Sequence, residues 1–424
     1  MPLHGTLTVP GDKSITHRAI ILSALADGEA TISNYCPGED CLHTAAAFQA
    51  MGVPVEIAPD RLRVTGKGLW GLREPDSIVD CGNSGTGIRL LVGVLAGQDF
   101  FSVLTGDTSI RRRPMGRVVG PLREMGAVIA GRRGGELAPL AIVGARLRGI
   151  AYSSPIASAQ VKSSVLLAGL FAEGTTSVTE PALSRDHTER LFAYLGIPVT
   201  RNVLTVSLTG QRAFTAKDIA VAGDLSAAAF FLVAASLVPN SEVTITGVGV
   251  NPTRTGVLEI LQAMGAHIEL LNPRTQAGEP VADLRVRSAP LRGVTIGPER
   301  IPKTIDEFPI LCVAAACAQG ETIISGAEEL RVKESDRIAA MAMELRRLGA
   351  AVEERPDGLR IAGGRPLTGA VCQSHRDHRV AMSMMVAGLV ARGETRVEDT
   401  ACVATSFPGF DKQLRGLLTP LGQG

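Results

Sequence analysis

The sequence predicts an α/β protein made of six related units, arranged as two lobes of three units each. Two repeated signals support this prediction. Six apolar helices begin with groups that can hold anions, and six segments of the pattern apolar-x-x-apolar-Gly recur about every 70 to 84 residues. Most solenoid repeats are shorter, roughly 20 to 50 residues, so closed lobes are favoured over an open solenoid.

The repeated glycines are expected to mark the ends of helices. Glycine enters the left-handed backbone region at low cost, which suits the residue just after a helix. A β-branched, strand-like segment follows every copy except the last. Each unit is therefore predicted to run helix, strand, loop, helix, glycine and then strands. The glycines are Gly52, Gly126, Gly196, Gly265, Gly349 and Gly422.

The starts of the six apolar helices are the candidate ligand-binding positions. A helix start exposes free backbone N–H groups and the positive end of the helix dipole, and both favour anions. Several copies add Lys or Arg, so together they indicate a site for a strongly anionic small molecule. The six segments begin at Pro10, Asn83, Ser158, Gly223, Ile305 and Asp377.

The length of the chain, 424 residues, exceeds what one ordinary core accommodates. We expect the chain to cross between the lobes near Pro10 and again near Gly223. Two crossings place residues 1–10 together with 224–424 in one lobe and leave 11–223 in the other. The ligand site is then expected between the lobes, where binding pockets are common.

The composition disfavours several classes of protein. The 43 Lys and Arg residues nearly balance the 42 Asp and Glu residues, and only 4% of residues are aromatic. Broad nucleic-acid binding needs a basic face, and base stacking needs aromatic side chains. The seven scattered cysteines indicate a reduced, cytoplasmic protein. The longest apolar run, 225–238, is too short to cross a membrane and is expected to be a buried helix.

Three segments of the first predicted lobe carry candidate anion ligands. Lys13 begins a helix, and Ser14 and Arg18 share one face of it at i,i+4 spacing. The glycines around Gly85 would let backbone N–H groups approach an anion closely. The proline after Arg113 favours an extended backbone, which can aim the guanidinium at a phosphate or carboxylate. For the first segment, the alternative is a capped helix with a solvated Arg18. For the glycine segment it is a simple turn, and for the segment with Arg113 it is a solvated basic run.

The third helix start of this lobe offers further polar groups. Ser158, Ala159, Gln160 and Arg185 lie in two segments that supply hydroxyl, amide and guanidinium groups. Ser158 suits an N-cap as well as a ligand, and it could serve as both.

Asp306 is the candidate general base of the second predicted lobe. It stands at the start of an apolar helix, where an N-capping role is the plain alternative. A carboxylate among cations stays charged and could accept the proton of a hydroxyl group.

The segment 331–337 is the most specific motif of the second predicted lobe. We expect it to be helical, with Lys333 and Arg337 on one face and Glu334 one turn before Arg337. Like charges on one face are unfavourable in a bare helix, so a bound anion would explain them, and a solvated helix is the alternative. Arg379, at the start of the sixth helix, is expected to bind an anion too. Neither a metal nor a cofactor is expected.

These motifs, in order along the whole chain, resemble those of the EPSP synthase family, the 3-phosphoshikimate 1-carboxyvinyltransferases. The resemblance rests on Pro-Gly-Asp-Lys-Ser, Gly-Asn-Ser-Gly-Thr, Arg-Arg-Pro-Met, Ser-Ala-Gln, Arg-Val-Lys-Glu-Ser-Asp-Arg and Asp-His-Arg. It implies a two-lobed inside-out α/β barrel of six βαβαββ repeats, with the active site in the cleft. It also implies transfer of the enolpyruvyl group of phosphoenolpyruvate to the 5-hydroxyl of 3-phosphoshikimate, with release of phosphate. That step belongs to the shikimate pathway toward chorismate and aromatic amino acids.

The resemblance further implies a role for each matched residue. Asp306 would accept the proton of the 5-hydroxyl, and Glu334 would protonate the methylene carbon of phosphoenolpyruvate with help from Lys13. The ligands of 3-phosphoshikimate would be Lys13, Ser14, Arg18, Ser158, Ala159, Gln160, Arg185, Asp306 and Lys333. Those of phosphoenolpyruvate would be Lys13, Gly85, Arg113, Gln160, Arg337 and Arg379.

The chain departs from the family pattern at Thr405, where many members have Lys, so one phosphate contact is expected to differ. Gly85 is typical of glyphosate-sensitive members, whereas the Ser-Ala-Gln-Val-Lys segment is similar to a subgroup that includes tolerant ones. The response to the inhibitor is therefore left open.

The sequence disfavours two other functions. A UDP-N-acetylglucosamine enolpyruvyltransferase would share the fold, but it uses a Cys-bearing loop where this chain has residues 111–115 and no Cys. A non-catalytic sensor of phosphorylated ligands would gain nothing from Asp306 and Glu334. We expect a cytoplasmic monomer that binds small molecules and neither nucleic acid nor membrane.

Overall fold

Helices and short strands alternate along the chain in the computed structural model, which describes residues 1–418. The chain divides into two compact units. The first unit comprises residues 11–221 together with 276–279. The second unit comprises residues 1–10, 222–275 and the chain from 280 onward.

The chain begins with strand β1 (His4–Thr8), which belongs to the second unit, and then enters the first unit. The helices of the first unit are α1 (Lys13–Leu25), α2 (Glu39–Ala50), α3 (Gly85–Ala96), α4 (Gly116–Glu124), α5 (Ala159–Gly169) and α6 (His187–Leu195). Its strands are β2 (Asp27–Ser33), β3 (Val55–Ile57), β4 (Arg61–Lys67), β5 (Val79–Asp80), β6 (Phe101–Thr105), β7 (Val128–Arg132), β8 (Leu137–Val143), β9 (Ala151–Ser153), β10 (Thr175–Thr179), β11 (Val199–Asn202), β12 (Thr205–Thr209) and β13 (Ile219–Ala220).

Three four-stranded sheets of the first unit share one topology. Their strand orders are β13-β2-β4-β3, β5-β6-β8-β7 and β9-β10-β12-β11. In each sheet the first two strands are parallel and the others pair antiparallel, as in β5, β6 and β8. The first repeat receives its parallel strand from β13, which pairs Ile219 with Ile32 near the end of the unit. This exchange completes the first repeat after the chain has passed through the other two.

The second unit repeats this plan. Its helices are α7 (Leu225–Leu237), α8 (Gly256–Ala263), α9 (Ile301–Thr304), α10 (Phe308–Cys317), α11 (Arg337–Arg347), α12 (His378–Gly388) and α13 (Phe410–Gly416). Its later strands are β14 (Glu242–Gly249), β15 (His267–Gln276), β16 (Glu279–Arg287), β17 (Thr295–Ile296), β18 (Glu321–Ile324), β19 (Ala351–Arg355), β20 (Gly358–Ala362), β21 (Val371–Gln373) and β22 (Arg396–Glu398). Their sheets are β1-β14-β16-β15, β17-β18-β20-β19 and β21-β22, so β1 completes the fourth repeat.

Five of the six predicted glycines follow helices in the left-handed region. Their φ angles lie between 82° and 107°, as the capping prediction requires. These residues are Gly52, Gly126, Gly196, Gly265 and Gly349. Gly422 lies outside the described residues.

The first helix of each repeat is largely buried. The apolar run predicted as a buried helix is α7, in which every residue from Leu225 to Ser236 is buried. Small side chains let such helices approach closely. A Cβ on Gly93 of α3 would lie only 2.3 Å from the carbonyl oxygen of Ser164 on α5. Close packing of these helices fixes where their N-terminal ends lie within the unit. Among the described helices, none is long and apolar enough to cross a membrane.

Candidate active site

The predicted anion-holding segments do lie at helix starts. Five of the six helices concerned begin with a side chain that accepts a hydrogen bond from a backbone N–H of the first turn. These N-caps are Asp12, Ser84, Ser158, Asp224 and Asp377. At α10 the N-cap position is occupied by Glu307, so the capping alternative for Asp306 is wrong. Asp306 lies in the turn that precedes this helix.

Lys13 and Ser14 form the first turn of α1. The ammonium group of Lys13 is ion-paired with Asp40, a buried carboxylate at the start of α2. This partner holds the lysine at the helix start, beside the backbone N–H groups of the first turn. Asp40 was not predicted from the sequence, because no local pattern connects it with Lys13.

Arg18 is buried one turn further along α1. Its guanidinium donates to the carbonyl oxygen of Ser14 at 2.9 Å, to Oγ of Ser163 on α5 at 2.6 Å and to Oγ1 of Thr188 on α6 at 2.6 Å. Burial lowers the pKa of Arg18 to about 10, a shift that nearby Glu189 opposes. Arg18 therefore stays positive at neutral pH while its hydrogen-bond acceptors are neutral, so it can contribute charge to an anion site.

Gly85 and Arg113 are in direct contact at the start of α3. A Cβ added to Gly85 would lie 2.7 Å from Cζ of Arg113, so the guanidinium rests against the glycine backbone. The backbone of Arg113 is extended, with φ −80° and ψ 141°, as its following proline predicts. Arg89 on α3 links α5 to the residue that follows Arg113. It donates to Oε1 of Gln160 at 2.9 Å and to the carbonyl oxygen of Pro114 at 2.8 Å.

Ser158, Ala159 and Gln160 form the start of α5, which connects the two groups just described. Gln160 is held by Arg89 and by Oγ1 of Thr86, whereas Ser163 on the same helix holds Arg18. Arg185 lies in the loop before α6 and is half-buried. The structure thus brings most first-unit candidates around α5.

His17 forms a buried hydrogen-bond chain behind these helix starts. Its Nδ1 lies 2.8 Å from Oγ1 of Thr44 on α2, and its Nε2 lies 3.2 Å from Oγ of Ser84, the N-cap of α3. Burial, reinforced by the charges of Lys13 and Arg18, lowers the pKa of His17 well below its usual value. A neutral imidazole therefore links α1 with α2 and with the N-cap of α3.

In the second unit, Arg337 is the centre of the candidate site. Its Nε donates to Asp377 at 2.8 Å and its Nη2 donates to Glu334 at 2.8 Å. Its Nη1 lies 3.5 Å from Oδ1 of Asp306, and Nε of Arg379 lies 3.8 Å from the same oxygen. Four of the five candidates predicted for this unit, Asp306, Glu334, Arg337 and Arg379, are therefore linked by a chain of ion pairs.

The electrostatic balance at Arg337 is set by carboxylates. Burial by itself would lower the pKa of Arg337, but Asp377, Glu334 and Asp306 outweigh burial and raise it. The pKa of Asp377 is lowered despite burial, chiefly by Arg337. Asp377 was predicted only as part of a helix start, and its pairing with a residue 40 positions away had no local signal.

The predicted helix over 331–337 is wrong. A 3-10 helix ends at Val332, and α11 begins only at Arg337 because Asp336 caps it by accepting from the N–H of Ala339. Lys333 and Glu334 therefore lie in the intervening bend, not on a helical face. Lys333 donates to Oε1 of Glu329 at 3.3 Å.

Thr405 lies close to the start of α12, although many family members have Lys at this position. Its hydroxyl donates to the carbonyl oxygen of Cys402 at 2.8 Å and lies 3.4 Å from Nδ1 of His378. Within residues 1–418, no group of three His, Cys, Asp or Glu side chains is placed to hold a metal ion.

Each unit thus has charged groups at or near helix starts. The first unit has Lys13, Arg18 and Arg113 together with backbone N–H donors. The second has the guanidiniums of Arg337 and Arg379 beside the two acid–base candidates, Asp306 and Glu334. Fold and charge pattern together define an α/β enzyme built from βαβαββ repeats that acts on small anions. Comparison with known proteins makes this specific. Residues 1–414 match the family model of EPSP synthase (3-phosphoshikimate 1-carboxyvinyltransferase).

Curated relatives agree along nearly their whole length. The 3-phosphoshikimate 1-carboxyvinyltransferase of Geotalea uraniireducens (strain Rf4) is 56% identical over 418 residues, which cover 99% of this chain and 97% of that protein. The protein of the same name from Geobacter sulfurreducens is 58% identical over 408 residues, covering 96% and 95%. The chain belongs to the EPSP synthase family.

Solved structures confirm the predicted fold class. An EPSP synthase from Acinetobacter baumannii superposes with a TM-score of 0.88 at 45% sequence identity, covering 98% of this chain and 96% of that one. A second structure of an EPSP synthase from this organism gives the same TM-score at 44% identity.

Proposed function

We propose that this chain transfers the enolpyruvyl group of phosphoenolpyruvate to the 5-hydroxyl of 3-phosphoshikimate, giving 5-enolpyruvylshikimate 3-phosphate and phosphate. The reaction supplies the shikimate pathway toward chorismate. Membership of the family supports the proposal. The observation that carries it is the convergence of Asp306, Glu334, Arg337 and Arg379, because a purely anion-binding protein has no use for the two carboxylates.

The substrate-binding groups are proposed to come from both units, with the active site in a cleft between residues 1–10 plus 224–424 and residues 11–223. Both substrates are anions that repel each other. Cations fixed beforehand offset that repulsion and hold the reactants in order, which can lower a barrier by roughly 7–11 kcal/mol.

For 3-phosphoshikimate, the proposed ligands combine backbone donors, hydroxyls and cations. They are Lys13, Ser14, Arg18, Ser158, Ala159, Gln160, Arg185, Asp306 and Lys333. For phosphoenolpyruvate, they are Lys13, Gly85, Arg113, Gln160, Arg337 and Arg379. Gly85 and Arg113 are in contact, which supports the proposal that both bind phosphoenolpyruvate.

The proposed chemistry is an addition followed by an elimination. Glu334 pairs with Arg337, and the negative charges of bound phosphoenolpyruvate would favour its protonation. Protonated Glu334 gives its proton to the methylene carbon of phosphoenolpyruvate, with Lys13 assisting, and the adjacent carbon becomes electrophilic. The 5-hydroxyl oxygen attacks that carbon as Asp306 takes its proton. The tetrahedral adduct then breaks its bond to the phosphate oxygen, which takes the proton held by Asp306, while the new methyl group returns a proton to Glu334 and restores the double bond.

The arginines give the carboxylates their roles. Two guanidiniums beside Asp306 favour its charged form, which is the form that accepts a proton. Arg337 and Arg379 would also stabilise the charge that develops on the departing phosphate. The sequence of steps needs only side-chain protons, so no cofactor or metal is proposed. A cytoplasmic monomer is proposed as well.

Product analysis tests the proposal. The purified chain, given 3-phosphoshikimate and phosphoenolpyruvate, should release one phosphate for each 5-enolpyruvylshikimate 3-phosphate detected by mass spectrometry. Replacing 3-phosphoshikimate with UDP-N-acetylglucosamine should stop phosphate release. Turnover with the sugar nucleotide would support the rival transferase, and binding of 3-phosphoshikimate without any turnover would support a sensor.

A further inference from the structure

A buried ion cluster lies behind two loops of the first unit. Lys162 on α5 is ion-paired with Glu180 at 2.9 Å and with Glu189 on α6 at 2.8 Å. All three side chains are at most 4% exposed. The carboxylates favour the charged form of Lys162 and raise its pKa, although burial opposes this shift. We call these three residues the Lys162 cluster.

Glu180 differs from Glu189 in what else it contacts. Its Oε1 accepts from the backbone N–H of Ser158 at 2.8 Å, and its Oε2 accepts from the hydroxyl of Ser184 at 2.7 Å. One carboxylate therefore joins the start of α5 to the loop that precedes α6. Glu180 itself is fixed because it directly follows β10, where its N–H donates to the carbonyl oxygen of Leu204 at 3.0 Å.

Both loops lead directly into proposed ligands of 3-phosphoshikimate. Ser158 is one of them, and Ser184 immediately precedes Arg185. We infer that Glu180 is a positioning residue for the acceptor substrate: it sets the distance between the α5 start and Arg185 without contacting either substrate. This inference rests on the proposed function.

Lys162 explains why a carboxylate can do this at an anion-binding site. Two uncompensated carboxylates would repel a phosphorylated substrate, and a buried carboxylate without a cation is costly. Lys162 neutralises one of the two negative charges. Arg18 contacts α6 at Thr188, where the negative potential of neighbouring Glu189 helps to keep it charged.

The test compares a variant that removes the buried carboxylate of Glu180 with one that removes an exposed carboxylate nearby. Glu180→Gln keeps an acceptor for Ser158 but loses the acceptor for Ser184 and the ion pair. Its KM for 3-phosphoshikimate should rise about tenfold or more, because small displacements of binding groups are that costly. Its KM for phosphoenolpyruvate should change less than about threefold, since Gln160, the ligand of that substrate on α5, keeps its hydrogen bonds to Arg89 and Thr86. Glu173→Gln, at an exposed position shortly before β10, is the control and should leave both KM values near those of the unaltered chain.

Equal KM values for both substrates in Glu180→Gln and the unaltered chain would overturn the inference, and so would an equal rise in both. If Glu180→Gln does not fold, Ser184→Ala removes one loop contact with little else. It should still raise the KM for 3-phosphoshikimate alone, and an unchanged value would overturn the inference. Absence of turnover in the unaltered chain would instead contradict the proposed function, and the inference would fall with it.

Discussion

At the scale of single residues, the contact between Gly85 and Arg113 makes a specific prediction. In Gly85→Ala the new methyl group would meet the guanidinium at 2.7 Å, closer than real Cβ contacts, so Arg113 must move. Because the end of a flexible side chain gives way, the fold should survive. The KM for phosphoenolpyruvate should rise about tenfold, with a smaller effect on 3-phosphoshikimate.

Gly120→Ala supplies the matched control for that experiment. Gly120 lies inside α4, is exposed, and has nothing within 4 Å of an added Cβ. The substitution should leave both KM values unchanged and stabilise the protein by up to about 1 kcal/mol. A normal KM for phosphoenolpyruvate in Gly85→Ala would show that Arg113 does not bind this substrate.

Asp306 allows a sharp distinction between a base and a binding group. Asp306→Asn keeps a polar group beside Arg337 and Arg379 but removes a negative charge, so binding of anions should not weaken. Turnover should nevertheless fall by about 10²- to 10⁴-fold if the carboxylate accepts a proton. Steady-state kinetics and calorimetric titration of 3-phosphoshikimate measure the two effects, with exposed Asp411→Asn on α13 as the control. Weaker binding with normal turnover would contradict the role of base.

At the scale of helices, His17 makes stability depend on pH. The folded protein keeps His17 neutral because its pKa is lowered, whereas in the unfolded chain the pKa is about 6.5. Below that pH the unfolded chain gains a proton that the folded one does not. The stability contributed by neutral His17 is therefore fully present above about pH 6.5. It decreases on acidification by up to about 1.4 kcal/mol per pH unit.

Urea unfolding at pH 7.5, 6.5 and 5.5 tests this expectation. His17→Gln should be less stable at pH 7.5, because it loses the hydrogen bonds to Thr44 and Ser84. It should lose less stability than the unaltered chain as the pH falls. The same pH dependence in both proteins would show that His17 titrates alike when folded and unfolded.

Helix boundaries also show what the sequence could and could not predict. The glycines after helices were predictable, because a helix often ends at a residue in the left-handed region and glycine adopts that conformation most easily. The pattern that marks them lies within five residues of sequence. The helix predicted over 331–337 was wrong, although its charge spacing suited a helix. Asp336 caps α11, so the helix begins only at Arg337 and the residues before it form a bend. Capping competes with helical spacing, and spacing alone does not decide between them.

At the scale of the molecule, the repeat predicted the alternation of helices and strands, but not that β13 would supply the parallel strand of the first repeat. Pairings between distant residues were beyond reach. Asp377 meets Arg337, and Glu180 meets Lys162, only because tertiary packing brings separate helix starts together. Such contacts leave no periodicity in the sequence. The motifs predicted the candidate site residues, but not the buried partners, such as Asp377 and Glu180, that hold site residues or site loops in position.

A ligand contacted by groups from both units should change the scattering of the protein. Small-angle X-ray scattering should show a smaller radius of gyration when 3-phosphoshikimate is added. Unphosphorylated shikimate at the same concentration should have a weaker effect, because it lacks the group that the cations bind. Identical curves with and without 3-phosphoshikimate would count against the proposed binding of this substrate by both units.

The most direct measurement is phosphate release by Lys13→Met in the presence of both substrates. Because Lys13 is paired with buried Asp40, Lys13→Met combined with Asp40→Asn avoids a stranded charge and separates folding from catalysis. Exposed Lys67→Met serves as the control. We predict that both Lys13 variants lose at least about a hundredfold in rate while remaining folded, and that the control is unaffected. Phosphate release at the normal rate by folded Lys13→Met would contradict the proposed active site.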